Sequence, residues 1–487
     1  MLRPIRLTLI VLVAVLLVPA SRLAGQAQAP APQRVLRAGA ATSNITPSLG
    51  VGIVGNWSTP AATQVHDELH ARCLVLDDGT TRVAFAIVDN VSIDRDVFDE
   101  AKRQIRDATG LAPERVLMAA THTHSGPSAR GSNAFDIGQS LDEYQTFLAR
   151  RIADGVRRAI ENLEPARIAW GAVDVPQHVF NRRWLVRPGA ANLSPFGVQE
   201  RALMNPGAGN PNIVEPVGPT DPQVSFLSVQ AVNGRPIALL ANYSLHYVGG
   251  VPSTHISADY FAAFADRIQQ LLGADRLDPP FVGIMSNGTS GDVNNINVAA
   301  KPGQAQKYPP YGKLRLVASD VAEAVFGVQQ KLQHRDWVEL KAAQAEQVLQ
   351  TRRPTPQLVA WAKQVLARPA GSKPNHPREE EYARRTISMA TWPAEVSVIL
   401  QAFRIGDLAI ATIPFETFAE IGLELKAKSP IKPMFTIELA NGAYGYLPPP
   451  RQHALGGYET WLGTNRVEPQ ASDKMVAKLV ELLGSLR

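Results

Sequence analysis

The stretch Val116-Leu117-Met118-Ala119-Ala120-Thr121-His122-Thr123-His124-Ser125-Gly126-Pro127 decides how this chain reads. Its first five residues are an apolar run bounded by turn-type residues, the pattern of a buried strand. Gly126 and Pro127 stop the strand and turn the chain. Side chains two apart in a strand share a face. The spacing therefore predicts that His122 and His124 project together from the strand's end. Two imidazoles in that position are a sensible start to a metal site; a structural pair satisfied by hydrogen bonds is the alternative.

Outward from that strand, three hairpins are legible. Residues 69–76 and 82–88 flank Asp77-Asp78-Gly79-Thr80, residues 226–232 and 236–243 flank Asn233-Gly234, and residues 396–403 and 408–413 flank Gly406-Asp407. Further strands are expected at 36–45, 167–175, 281–285 and 435–439. Helical periodicity covers 94–107, 141–163, 259–272, 417–427 and 473–486. In 141–163 the stripe Tyr144, Phe147, Leu148, Ile152, Val156, Ile160 and Leu163 is a core face. Residues 184–222 are rich in Gly, Pro and Asn, have little periodicity, and are long for a structureless loop, which suggests a lid or rim. Residues 336–392 are polar and broken by Pro354 and Pro356, and read as a peripheral helical insertion. Strands and hairpins alternating with helices predict an α/β fold, with layered mixed β-sheets flanked by helices, forming one catalytic domain over residues 36–487.

Composition agrees with a large core: 45% of the 487 residues are apolar and 19% are charged. Residues 1–29 have the form of a removable export signal, with Arg3 and Arg6 before an apolar stretch at 7–18 and small residues at Ala20, Ala24, Ala27 and Ala29. That apolar stretch is shorter than the roughly 20 residues of a membrane span. Residues 30–35 read as a linker. Arg3, Arg6 and Arg22 fall in the leader, so the formal charge of +5 drops to about +2 and gives no reason to propose a nucleic-acid partner. Cys73 is the one cysteine, which forbids an internal disulfide and leaves stability to the core. The expected location is periplasmic or secreted.

Four strands end in residues suited to chemistry: His122 with His124, His246, Ser290 with Asp292, and Glu416. Sites of this kind assemble from several strand ends on a rigid scaffold. Two imidazoles and a carboxylate make a hydrolytic zinc set, to which a tyrosine can add a fourth ligand. Each residue also has a plain reading. Glu416 suits a helix start, His246 a hydrogen-bonded core position, and Ser290 and Asp292 a turn.

The motif around His122 and His124 resembles that of the neutral/alkaline non-lysosomal ceramidases. Thr289-Ser290-Gly291-Asp292 resembles the core of their Asn-Ser-Gly-Asp-Val segment, Asn181-Arg182 their Asn-Arg pair, and Pro414-Phe415-Glu416 their Pro-Gly-Glu. Tyr446 and Tyr458 match the spacing of their two active-site tyrosines. The resemblance implies one zinc per chain, held by His122, His246, Glu416 and Tyr446. It implies that His124, Arg182, Ser290 and Tyr458 contact the substrate or transition state, with Ser290 either nucleophile or positioner. The implied activity is cleavage of the N-acyl bond of ceramide or a related N-acyl lipid, with transient contact at a membrane surface. Three departures stand out. Phe415 replaces the family's glycine. Residues 184–222 and 336–392 do not resemble the family. Only residues 459–487 follow Tyr458, so the family's C-terminal β-sandwich is expected to be absent. A different rim leaves a soluble amide or ester as the alternative substrate. A non-enzymatic lipid- or glycan-binding protein is less favoured, because such a module has no need of all four ligands.

Overall fold

Along residues 82–88 the side chains alternate between two cores. Val83, Phe85 and Ile87 enter one, while Ala84, Ala86 and Val88 enter the other. That period of two places the strand in a sheet buried on both faces. The molecule is described by a computed structural model covering Met1 and residues 8–12, 34–131, Phe135, 138–300 and 306–487. Most of the expected leader and of the linker lies outside the described residues.

Strands β1 (Arg37–Asn44), β2 (His70–Asp77), β3 (Arg82–Val88), β4 (Val116–Ala120), β5 (Glu164–Asp174), β6 (Gln223–Ala231), β7 (Pro236–Tyr243) and β8 (Val282–Asn287) form one mixed sheet, in the order β8-β7-β6-β5-β1-β2-β3-β4. A second sheet contains β9 (Leu340–Gln350), β10 (Glu395–Ile405), β11 (Leu408–Ile413) and β12 (Met434–Glu438), in that order. The two sheets face each other across a core that includes Phe85, Leu117, Leu227, Leu240, Phe403, Ile410 and Phe435.

Helices cover the outer faces. α1 (Arg95–Thr109) and α2 (Glu143–Glu161) pack on one half of the first sheet through Val97, Phe98, Leu148, Ile152 and Val156. α3 (Asp259–Leu271) and α4 (Gly312–Gln329) cover the other half through Phe261, Phe264, Val317 and Val321. α2 begins with a capping box in which Asp142 accepts from Gln145 N at 2.8 Å and the Gln145 side chain accepts from Asp142 N at 2.9 Å. After α5 (Pro356–Leu366) and α6 (Glu379–Met389), α7 (Ala419–Lys428) and α8 (Ala471–Ser485) close the outer face of the second sheet. The result is four layers, helix–sheet–sheet–helix, and residues 35–487 form one compact unit.

Two expectations need correction. Residues 340–350, read as part of a helical insertion, form β9 instead, paired with β10 from Leu340↔Ile405 to Gln350↔Glu395. The segment is rich in Lys, Ala, Gln and Glu, which favour helix locally. As an edge strand half open to solvent it tolerates them, and pairing along its whole length overrides propensity. Only α5 and α6 match the helical reading. Residues 184–222 are also more ordered than a loop: Arg183–Val186, Ala202–Met204 and Ile213–Pro216 make a small antiparallel sheet with Arg183–Val186 in the centre.

Three parallel pairs set up the site. β3 and β4 run together to Val88↔Ala120, β7 and β8 to Tyr243↔Asn287, and β11 and β12 to Ile413↔Glu438. The sheets are joined at this edge, where Ala120 N donates to Leu439 O at 3.1 Å and Asn441 N donates to Met118 O at 2.9 Å. The chain segments leaving these strand ends therefore converge.

α8 is part of the core, with Met475, Leu479 and Leu483 unexposed and Val476 nearly so. Deleting residues 473–487 removes burial worth on the order of 6–12 kcal/mol before entropy. The truncated protein should melt far below the full chain or fail to fold; an unchanged thermal midpoint would contradict this packing.

Candidate metal centre

β4 ends at Ala120, and His122 lies beyond it with a left-handed φ of 72°. The two histidines of this motif do meet, but through that backbone conformation and not through strand alternation. A non-glycine residue with positive φ is costly and characteristic of functional sites. Here it is held by His122 N donating to Asn90 O at 3.0 Å and by the ring Nδ1, 2.7 Å from Val91 O. A carbonyl only accepts, so Nδ1 carries a proton, and in the neutral ring Nε2 then presents its lone pair. His246 repeats the arrangement, with Nδ1 3.2 Å from Ser290 O.

The candidate ligand atoms converge. His122 Nε2 lies 3.1 Å from His246 Nε2 and 3.0 Å from His124 Nε2. Glu416 Oε2 stands 3.2 Å from His122 Nε2 and 3.9 Å from His246 Nε2. His122 and His246 thus aim two lone pairs at each other beside a carboxylate. A cation between them satisfies all three donors at once, and His122, His124 and His246 form a buried group able to hold one. Burial, reinforced by His122 and Arg182, drives His124 and His246 well below the ordinary imidazole range, toward the neutral form that binds metal. Burial pushes Glu416 the other way, but His122, Tyr446 and Arg182 outweigh it and leave this carboxyl below its ordinary range.

The other expected residues surround this cluster. The Arg182 guanidinium lies over the Tyr446 ring at 5.3 Å, and its Nε donates to Glu459 Oε1 at 2.9 Å. Among the described residues, Arg182 Nη2 is buried without a hydrogen-bond partner. Burial holds the Tyr446 phenol well above its ordinary range. The Tyr446 ring meets Tyr458 edge-on at 5.6 Å, and Tyr458 meets Trp57 in the same way at 5.6 Å. Tyr458 is half-buried, so this aromatic series leads outward from the cluster. His124 stacks on Tyr247 with ring centroids 3.8 Å apart. Ser290 has no exposure and lies behind His246, with Oγ 3.3 Å from Nδ1. Asp292 Oδ1 accepts from Ala419 N at 2.9 Å, and Oδ2 accepts from Asn181 Nδ2 at 2.7 Å. It ties the start of α7 to the residue before Arg182.

Two carboxylates escaped the sequence reading. Glu459 is wholly buried and accepts from both Arg182 and Arg183, the latter from Nη1 at 2.6 Å. Glu438 is wholly buried at the end of β12, among donors from Ser290 and Thr417. A single acid closing the apolar run Met434-Phe435-Thr436-Ile437-Glu438 was the available signal for the second.

With the geometry described, comparison with known proteins is informative. The family model described as neutral/alkaline non-lysosomal ceramidase, N-terminal, matches residues 37–307, more than half of the chain. The neutral ceramidase of Pseudomonas aeruginosa is 26% identical over 215 residues, covering 42% of this chain and 29% of that protein. Neutral ceramidase B of Dictyostelium discoideum is 22% identical over 240 residues, covering 47% and 31%. The aligned stretch thus spans less than a third of either curated relative. The crystal structure of the Pseudomonas aeruginosa neutral ceramidase superposes with a TM-score of 0.65 at 18% identity, covering 93% of this chain and 74% of that one. A ceramidase complexed with C2 gives 0.68 at 18% identity, with 93% and 75% covered. The shared fold extends well beyond the stretch aligned by sequence.

Replacing Glu459 with Ala leaves two buried guanidinium groups without their carboxylate. Loss of one partner from such a group costs about 3–5 kcal/mol. Urea denaturation should register a loss of that order, and a change below about 1 kcal/mol would show that the arginines find other partners.

Proposed function

The chain belongs to the neutral/alkaline non-lysosomal ceramidase family, and from that premise we propose that it is an exported, zinc-dependent amide hydrolase. Its proposed substrate is ceramide or a related N-acyl lipid, cleaved to a fatty acid and a sphingoid or related amine. The observation that carries this reading is the convergence of His122, His246 and Glu416 with their lone pairs turned inward.

The donor set fits zinc. Nitrogen and oxygen ligands stand about 2.0–2.2 Å from a tetrahedral zinc, hence about 3.3 Å from one another. The spacings of 3.1–3.9 Å among His122, His246 and Glu416 bracket that. In this reading His122, His246, Glu416 and Tyr446 hold one zinc. The ion supplies Lewis acidity and activates water at neutral pH.

The remaining roles belong to the chain itself. The unpartnered Nη2 of Arg182 is a preorganised donor for negative charge developing on the amide oxygen. His124, stacked on Tyr247, and Tyr458, at the outer end of the aromatic series, orient the substrate beside it. Ser290 supports the site from behind His246. The half-exposed Trp57 ring at the mouth suits transient contact with a lipid surface that presents the substrate. The proposal of export rests on residues 1–29, which have the form of a secretory signal.

One observation favours a second reading, hydrolysis of a smaller amide. A cleft of about 250 Å³ beside Tyr458 is bounded by Trp57, Leu203, Met204, Arg378 and Trp461. That is below the roughly 300–1,000 Å³ that enclose a drug-sized ligand. Part of its wall, including Leu203, Met204 and Arg378, comes from the two stretches that do not resemble ceramidases.

Purified protein should contain about one zinc per chain by mass spectrometry and release fatty acid from N-acyl-sphingosine in detergent. A chelator should abolish turnover, and His122→Ala should lose metal and activity together. Turnover that survives chelation, or full zinc in His122→Ala, would contradict the reading. A panel of amides of increasing acyl length separates the two substrates: activity confined to the shortest members would favour the second.

A further inference from the structure

Arg466 reaches the edge of the metal centre from the segment that precedes α8. Its Cγ and Cδ lie 3.4 Å from the point where a Cβ on Gly445 would stand. The Gly445 carbonyl accepts from Glu416 N at 2.9 Å, and Tyr446 is the next residue. The Arg466 side chain therefore lies against the backbone that carries two of the proposed ligands. Its Nε donates to Gly463 O at 3.3 Å, and its guanidinium lies over the Trp392 ring at 5.6 Å. Among the described residues, its two terminal nitrogens donate no hydrogen bond.

Two further arginines close in. Arg385, on α6, places its Cβ and Cδ 3.3 Å from where a Cβ on Gly463 would stand, and it is paired with Glu381 at 2.6 Å. Arg130 lies on the loop that follows His124, and among the described residues its guanidinium donates no hydrogen bond. Burial, reinforced by the like charges of Arg130 and Arg385, lowers Arg466 to about 9, so it stays charged at neutral pH. Two carboxyl groups oppose this surplus. Glu416 attracts Arg466 but faces His122 and His246. Asp94 attracts both Arg130 and Arg466 but, among the described residues, pairs with neither. One of its oxygens accepts from Gly131 N at 2.7 Å, and the other has no partner there. Burial raises Asp94 to about 6, which leaves it ionised at neutral pH.

Half-buried guanidinium groups that lack an acceptor and repel each other are costly. A carboxylate placed between Arg130 and Arg466 would satisfy both with charge-assisted hydrogen bonds. Glu381 matches Arg385, and Asp94 offsets one of the other two, so a single positive charge is in excess. That suits a monoanion better than a phosphate dianion. The cleft at Tyr458 offers Leu203, Met204 and Trp461 as apolar walls for an acyl chain. Arg466 adjoins the centre at Gly445 instead, where the amine half of a bound amide would extend.

We propose that Arg130 and Arg466 form an anion subsite beside the metal centre, and that the substrate is an N-acyl amine whose amine half bears a carboxylate, as in an N-acyl amino acid. Water adds across the amide C–N bond and gives a fatty acid and the free amino acid. The inference rests on the amide-hydrolase reading above.

The test compares kcat/KM of the purified full chain for N-dodecanoyl-glycine and N-dodecanoyl-glycinamide, which match in size and differ in charge. Calorimetric binding of both compounds to the chelator-treated full chain reads the subsite without turnover. We expect the acid to be preferred about 10- to 100-fold in both measurements, the worth of a hydrogen-bonded charge. Arg466→Gln and Arg130→Gln should each remove most of that preference. Arg466→Lys should keep part of it, because the charge remains without the planar fork. A preference within about twofold of the parent's in Arg466→Gln, or in Arg130→Gln should Arg466→Gln not fold, would overturn the proposal. A parent chain that favours N-dodecanoyl-phosphoethanolamine over the glycine conjugate would overturn the assignment to a carboxylate. If the parent cleaves no amide, the hydrolase reading fails and the substrate assignment with it. If it cleaves N-dodecanoyl-sphingosine but shows no preference for the acid over the glycinamide, only this inference fails.

Discussion

Two imidazole nitrogens face each other at 3.1 Å, with a carboxylate oxygen 3.2 Å from one of them. Much of the surrounding structure exists to hold that arrangement. Left to themselves the rings would turn away or share a proton. They are held because each Nδ1 is committed to a main-chain carbonyl, Val91 O for His122 and Ser290 O for His246. Those carbonyls belong to loops fixed by the sheet, so the fold itself sets the ring orientation.

The four-layer fold supplies the rigidity. The loops carrying His122, His246, Ser290 and Glu416 all leave strands that lie at the joined edge of the two sheets. The hydrogen bonds from Ala120 and Asn441 make this edge a seam between the sheets. Buried carboxyl groups are then built into the seam, each with its own set of donors. Glu459 serves Arg182 and Arg183, Asp292 serves Asn181 and the start of α7, and Glu438 serves Ser290 and Thr417. Each carboxylate joins segments far apart in sequence. Losing any of them would disturb more than a local contact.

Legibility in the sequence followed range. The three hairpins and α2 were readable because turn chemistry and helical periodicity act over a few residues. The four strand ends that meet at the candidate site were readable because each closes an apolar run. Beyond that range the reading failed in specific ways. β9 is written in helix-forming residues and becomes a strand only through its pairing with β10. The small sheet of residues 183–216 lacks the alternation that marks a strand. The left-handed backbone of His122 has no signature in an ordinary Thr-His-Thr-His run. That Ser290 lies wholly buried behind His246, with Glu438 as its partner 148 residues away, is invisible until the sheets are assembled.

X-ray absorption at the zinc edge on the purified full chain tests the central claim most directly. The account predicts a spectrum fitted by nitrogen and oxygen alone at about 2.0–2.2 Å, with imidazole multiple scattering from at least two histidines and no sulfur. Absence of bound zinc from fully folded protein, or a first shell containing sulfur from Cys73, would contradict it.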